Sequence, residues 1–123
     1  MVHLPRERDL RMEKYSISGN RYRELKYFCR QYREKQSQIQ VMADIRTPLS
    51  YGTAKRWEML QEELRMIDQA AMEADEELAG YIIKNAANGT PYEYLGAPCS
   101  RSAFFRARKK FFWILDRKKR GIT

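Results

Sequence analysis

Apolar residues recur every three or four positions in the middle of the chain, and this pattern restricts that segment to an α-helix. The recurring residues are Trp57, Leu60, Leu64, Ile67, Ala71, Ala74 and Leu78. Because the spacing alternates between three and four, it resembles the seam of a coiled coil. Other helices of the same chain can bury this seam, or a second copy can. In a homodimer, the oligomerisation residues would be Trp57, Leu60, Leu64, Ile67 and Ala71.

Capping residues place helices on both sides of this stripe. Ser18 or Asn20 is expected to begin a helix that runs to about Met42, and Thr53 is expected to cap the striped helix. Asp75 is followed by two further acids, and acids suit the first turn of a helix. This favours a separate helix at about 76–87 over one long helix through the region.

The C-terminal third carries the sharpest local signals. Gly89 is expected to end the preceding helix in a left-handed conformation. Thr90-Pro91-Tyr92-Glu93 has the pattern of a capping box and predicts a short helix at 91–95. Ser100 is then expected to cap a long helix at about 101–119. A short helix, a turn and a long helix in this order are typical of a helix-turn-helix.

These elements predict an all-α fold. We expect a small helical bundle with a C-terminal helix-turn-helix and a central helix of coiled-coil-like character. The chain divides into an N-terminal arm at 1–17, a helical or oligomerisation region at 18–74 and a helix-turn-helix region at 75–123.

Charge is distributed unevenly along the chain, whose formal net charge is +8. Residues 1–35 hold ten basic and five acidic residues, and residues 36–100 hold five basic and ten acidic ones. Residues 101–123 hold nine basic residues and one acid. A solvated helix face is one explanation for a run of charge. So strong an excess of cations favours a polyanion instead, because neutralised phosphates release their condensed counterions. Together with the helix-turn-helix layout, this makes duplex DNA the expected partner.

The final helix separates into two faces at 100° per residue. The face expected to join the core carries Phe104, Ala107, Phe111 and Leu115, flanked by Phe112 and Ile114. The opposite face carries Ser102, Arg106, Lys109, Lys110, Trp113 and Arg117. The residues predicted to bind nucleic acid are Arg101, Ser102, Arg106, Lys109, Lys110, Arg117, Lys118, Lys119 and Arg120.

The basic residues of this helix have different expected roles on DNA. Arg106 can pair bidentately with O6 and N7 of guanine. Lys109, Lys110 and Arg117 suit phosphate contacts, which position a protein without specifying a sequence. The trailing cluster 118–120 suits backbone contact alone.

Two residues of the helix fit this arrangement less well. Trp113 lies among the cations, so it is expected to be buried by the N-terminal segment, to stack on a base, or to face a partner, in that order. Arg108 falls on the core side, where its stem is expected to extend outward to water.

The chain lacks the residue sets that catalysis and metal binding commonly use. It has one histidine, His3, and two cysteines, Cys29 and Cys99, which are seventy positions apart. Cys29 is expected to pack in a helix and Cys99 to lie in a turn. We therefore expect a protein that is not an enzyme, with no catalytic residue, no metal and no cofactor.

Membrane association is also not expected. No apolar run reaches the roughly 20 residues of a membrane span, and the N-terminus has no signal-peptide pattern. A basic amphipathic helix can lie on an anionic membrane surface, but the capped turn before residue 101 disfavours that alternative. The expected location is the cytoplasm.

Several short motifs suggest a family. They are Gly89, Tyr92-Glu93-Tyr94-Leu95, Pro98-Cys99-Ser100, Phe104-Phe105 with the run from Arg106 to Phe112, and the opening from Gly19 to Cys29. The segment 81–120 resembles the C-terminal half of small prophage proteins of Gram-positive bacteria, of the RinA/ArpU type of late-gene transcription regulators. The opening from Gly19 to Cys29 is also similar to such proteins. The resemblance implies a regulator that contacts DNA through Ser102, Arg106 and Lys109. The acidic middle and the heptad-like stripe depart from the family pattern.

Two other functions are compatible with the sequence. One is a small phage protein that inhibits a host nucleoprotein machine, as anti-CRISPR proteins do, with a host protein or ribonucleoprotein as partner. The other is a small terminase-like DNA-binding subunit, which also joins a helix-turn-helix to an oligomerising helix. A regulator is expected to bind naked duplex DNA, an inhibitor to bind little of it, and a terminase subunit to form a ring.

Overall fold

The computed structural model describes residues 14–45 and 48–121, and within these ranges it is all-helical, without a strand. The all-α fold class is thus confirmed. The elements are α1 (Gly19–Arg30), α2 (Tyr32–Ala43), α3 (Tyr51–Ala74), α4 (Ala79–Asn88), a short 3-10 helix (Tyr92–Tyr94) and α5 (Arg101–Lys119). Most of the predicted arm at 1–17, including His3, lies outside the described residues.

Serine side chains cap three of the helices. The Oγ atom of Ser18 accepts a hydrogen bond from the Arg21 N–H at 3.3 Å, so Ser18 rather than Asn20 begins α1. Ser100 accepts from the Ala103 N–H at 3.1 Å, as predicted. The prediction for Thr53 was wrong. Ser50 caps α3 by accepting from the Thr53 N–H at 3.2 Å, so the helix begins three residues earlier than its apolar stripe suggested.

One helix was predicted from Ser18 to Met42, whereas the structure has two, with a break at Gln31. Beyond the break, α2 packs on α3. It brings the Tyr32 hydroxyl to Asp68 Oδ1 at 2.7 Å and Lys35 Nζ to Glu63 Oε2 at 2.7 Å. The sequence has neither glycine nor proline at this point, so the break is a consequence of tertiary contacts and has no local signal.

The apolar stripe of α3 packs inside the chain. Leu60, Leu64, Ile67 and Ala71 are buried, and α3 makes its most extensive contact with α5. Of the two ways to bury the stripe, the structure has the intramolecular one. These four residues are covered by the chain itself, whereas Trp57 beside them is half-buried, and a homodimer stays a prediction.

A single core joins the two regions predicted as 18–74 and 75–123. Leu25 and Ile67 come from the first, Ile82 and Phe111 come from the second, and all four belong to one cluster of buried residues. The joint between them lies at Asp75, whose Oδ1 accepts from the Leu78 N–H at 3.1 Å. The prediction of two helices with a joint near residue 75 is confirmed.

The segment predicted as a helix at 91–95 is a 3-10 turn of three residues. The predicted capping box does not form, because Pro91 is extended and Glu93 is ion-paired with Arg101 instead of reaching back. The Thr90 carbonyl accepts from Asn85 Nδ2 at 2.8 Å, which ties the turn to α4. The element before α5 is thus shorter than the first helix of a standard helix-turn-helix.

Gly89 ends α4 with φ of +73°, a left-handed conformation, as predicted. A Cβ atom at this position would clash with the guanidinium of Arg30. We expect Gly89→Ala to lower the free energy of unfolding by about 1–2 kcal/mol, the cost of a left-handed non-glycine residue. The measurement is urea denaturation followed by circular dichroism.

Gly80 provides the matched control. It lies in α4, the helix that Gly89 ends, and a Cβ atom added there would meet open space. Gly80→Ala is expected to raise the free energy of unfolding by about 0.5 kcal/mol, because alanine restricts the unfolded chain. Equal changes in the two variants would contradict the left-handed cap.

Candidate nucleic-acid interface

One side of α5 is built into the core. Phe104, Phe111, Phe112 and Leu115 are buried, and the helix packs against α1, α3 and α4. This is the face that the helical periodicity predicted. Because apolar burial holds the helix along its length, it is settled which of its remaining residues lie on the outward side.

The outward side of the first three turns of α5 is open. Arg101, Ser102, Phe105, Arg106 and Lys109 are all exposed, and we call these five residues the N-terminal face of α5. Arg101 is partly engaged, since it is ion-paired with Glu93 and its guanidinium lies 5.0 Å from the Phe105 ring.

Arg106 and Lys109 have no such engagement. Within the described part of the chain, neither makes an ion pair or a hydrogen bond through its side chain. Packing of these two cations against the protein's own acids, such as those from Glu73 to Glu77, would have made them unavailable to a groove. The structure instead leaves them free for an external partner.

The second half of α5 differs from this face, because each cation of the predicted cluster at 118–120 lies near an acid of the chain. Lys118 Nζ lies 3.1 Å from Glu73 Oε1, and Lys119 Nζ lies 3.5 Å from Glu24 Oε1. Arg120 Nε lies 3.6 Å from Asp116 Oδ2. Since each of the three cations is paired with an acid of its own chain, they are weaker candidates for phosphate contact than the sequence indicated.

Lys110, Trp113 and Arg117 form a partly covered strip between these two halves. The ring of Trp113 meets the ring of Tyr15 edge-on, with centroids 5.3 Å apart. Lys110 Nζ lies 5.9 Å from the Tyr15 ring and the Arg117 guanidinium 4.7 Å from the Trp113 ring. The segment before α1 therefore covers Trp113, which was the first of its three interpretations.

Arg108 does not extend outward, contrary to prediction. Its Nε donates to Asn85 Oδ1 at 2.6 Å and its Nη1 donates to the Tyr22 hydroxyl at 2.8 Å. Its guanidinium carbon lies 4.8 Å from the Phe112 ring and 5.7 Å from the Phe105 ring. A cation at a core position with four aromatic residues at i−4, i−3, i+3 and i+4, and no acid among them, was the signal that sequence reasoning missed.

The cysteines have the predicted places. Cys29 is buried in α1, and this burial raises the pKa of its thiol to about 12, so the group stays protonated at neutral pH. Cys99 lies in the turn before α5, where its carbonyl accepts from the Tyr92 hydroxyl at 2.6 Å. Among residues 14–45 and 48–121, no group of histidine, cysteine or acidic side chains is placed to hold a metal ion.

The described helices are too short or too polar to cross a membrane. Comparison with known proteins adds no further constraint, since no family model, curated protein or solved structure matches the chain.

Proposed function

We propose that this protein binds duplex DNA through the N-terminal face of α5 and acts as a transcription regulator of a phage or prophage. The observation that carries the proposal is that Arg106 and Lys109 are exposed, and unpaired within the described residues, on a helix whose opposite side is core. Side chains held in this way keep their charge for an external anion.

The geometry of α5 suits a major groove. That groove is roughly 12 Å wide and admits one α-helix, whose first turns meet the base edges. Arg106 is the residue for guanine, Ser102 can bond to a base or a phosphate, and Lys109 reaches the backbone. The ring of Phe105 is a suitable contact for the methyl group of thymine.

The acidic middle of the chain favours a single orientation on DNA. Glu76 and Glu77 are exposed on the turn that follows α3, and neither is ion-paired within the described residues. Their charge repels phosphate, whereas the N-terminal face of α5 attracts it. The turn before α5 contains a 3-10 helix in place of a full first helix. The proposed DNA-binding element is therefore a variant of the helix-turn-helix.

The test is fluorescence anisotropy on a labelled random duplex at about 50 and 200 mM salt. With about four phosphate contacts, affinity is expected to fall by about a hundredfold over this range, since log K falls with a slope of about −0.9 per contact. Arg106→Glu is expected to weaken binding at least tenfold. Arg56→Glu, which reverses an exposed arginine on α3, is the control and should change affinity little.

Absence of binding at the lower salt concentration would overturn the proposal. A pull-down from a bacterial lysate would then test the inhibitor of a host nucleoprotein machine. Equal loss in Arg106→Glu and Arg56→Glu would mean that net charge alone binds the DNA, without a positioned helix.

A further inference from the structure

A cleft lies beside the N-terminal face of α5, between that helix and the segment that leads into α1. Its volume is about 400 Å³, which falls within the roughly 300–1,000 Å³ of small-molecule sites. Four aromatic rings line it, together with two cations: Tyr15, Tyr22, Phe105, Phe112, Arg108 and Lys109. We call this the aromatic cleft.

Arg108 is the unusual member of the aromatic cleft. It is half-buried, and both of its hydrogen bonds go to neutral groups, Asn85 and Tyr22. In the described ranges no carboxylate is ion-paired with it. A partly desolvated charge without a counter-charge is costly, and a guanidinium has five N–H groups, of which these bonds use two. The surrounding rings offset part of this cost, and an anion is the partner that the remaining N–H groups can bind.

Lys109 provides a second cation next to Arg108. It lines the aromatic cleft and also belongs to the N-terminal face of α5, where it has no partner within the described residues. Two neighbouring cations, one a guanidinium and one an ammonium, suit a phosphate group.

The aromatic rings add a second requirement to the ligand. Phe105 is 36% exposed and lines the cleft from the side that faces the proposed DNA surface. Tyr15 and Tyr22 are half-buried and line the other side. Aromatic rings beside a cation pair are how proteins hold single nucleotides of a strand, with the base on a ring and the phosphate on a cation.

We propose that the aromatic cleft binds one unstacked nucleotide of the bound DNA, its phosphate on Arg108 and Lys109 and its base against Phe105, Tyr15 and Tyr22. This inference rests on the proposed DNA binding and extends it, because a fully stacked duplex cannot place a base in a cleft. The protein then prefers a duplex in which one base is free to leave the helix.

Three labelled DNAs test the inference. They are a fully paired duplex, the same duplex with one extra unpaired thymidine, and the same duplex with an abasic residue in place of that thymidine. The unpaired thymidine is expected to increase affinity by about tenfold over the other two, the effect of one base stacked on an aromatic side chain. A 2-aminopurine at the unpaired position, whose fluorescence falls when its ring stacks, reports the base directly.

Phe105→Ala is the variant of choice. The Phe105 ring is partly exposed, so removing it leaves the core intact. It is expected to abolish both the preference for the unpaired base and the 2-aminopurine quenching. Tyr51→Ala is the matched control, since Tyr51 is an exposed ring on α3, 80% accessible and outside the cleft. That variant should keep both signals.

The outcomes separate the inference from the proposed function. Equal affinity for all three DNAs, with binding still sensitive to Arg106→Glu, would overturn the inference and leave DNA binding standing. A gain that the abasic DNA shares would mean that the protein senses a flexible backbone and not a base, which also overturns it. Absence of binding to all three DNAs would overturn the proposed function, and the inference with it.

Discussion

Replacing Phe111 with alanine is expected to lower the free energy of unfolding by about 4 kcal/mol. The Phe111 ring is fully buried in α5, and its centroid lies 5.0 Å from that of Phe112. Its removal loses apolar burial and leaves a cavity that a helix held by α1, α3 and α4 cannot close. A loss of this size is a large part of the roughly 5–15 kcal/mol that stabilises a typical domain. Urea denaturation at constant m-value measures it.

Phe105→Ala is the internal control for this measurement, since it makes the same chemical change six residues earlier on the same helix. Phe105 is exposed and makes an edge contact with Phe104 at 5.4 Å, so its removal is expected to cost about 1 kcal/mol. If the two variants lost equal stability, the assignment of the two faces of α5 would be wrong.

Removing the carboxylate of Glu63 is the second change for which we expect a large loss. Lys35 is only 6% exposed, its Nζ lies 2.7 Å from Glu63 Oε2, and the ammonium lies 4.1 Å from the Phe28 ring. Glu63→Ala leaves that ammonium desolvated without a counter-charge. We expect the free energy of unfolding to fall by about 2–3 kcal/mol. This is at or below the usual range for a broken buried ion pair, because Glu63 itself is partly exposed to water.

Glu62→Ala is the matched control on the adjacent position of α3. Glu62 is ion-paired with Arg65, and both side chains are more than half exposed, so the loss is expected to stay below about 1 kcal/mol. The double variant Lys35→Met with Glu63→Leu removes both charges and is expected to recover most of the stability. A double variant as unstable as Glu63→Ala would show that the loss comes from packing and not from an unpaired charge.

Much of the local structure was accessible from the sequence because its causes are local. Helix periodicity and capping involve residues within about four positions of one another. The capping roles of Ser18 and Ser100, the joint at Asp75 and the left-handed Gly89 were all found in this way. Where a local signal was ambiguous, as at Thr53, the start of the helix was misplaced by a few residues.

The predicted site divides for a physical reason. Arg106 and Lys109 stay open because they lie on the outer side of a helix whose other side is core, and this follows from periodicity alone. The pairing of Lys118 with Glu73 spans 45 positions and that of Lys119 with Glu24 spans 95. No pattern in a single sequence reports such contacts, so the basic tail looked as available as the basic face.

By itself, the sequence determined the helical class, the positions of most helices and the two faces of α5, since these depend on the order of apolar and polar residues along a period of 3.6. Only the tertiary structure decided three other matters: that α5 packs on the stripe of α3, that the helix is interrupted at Gln31, and that Arg108 lies among aromatic rings with no acid of the described residues paired to it. Each of these depends on which distant parts of the chain come into contact. The free energy of apolar burial has no preferred direction, so an apolar stripe indicates that the helix face is buried but not which surface buries it.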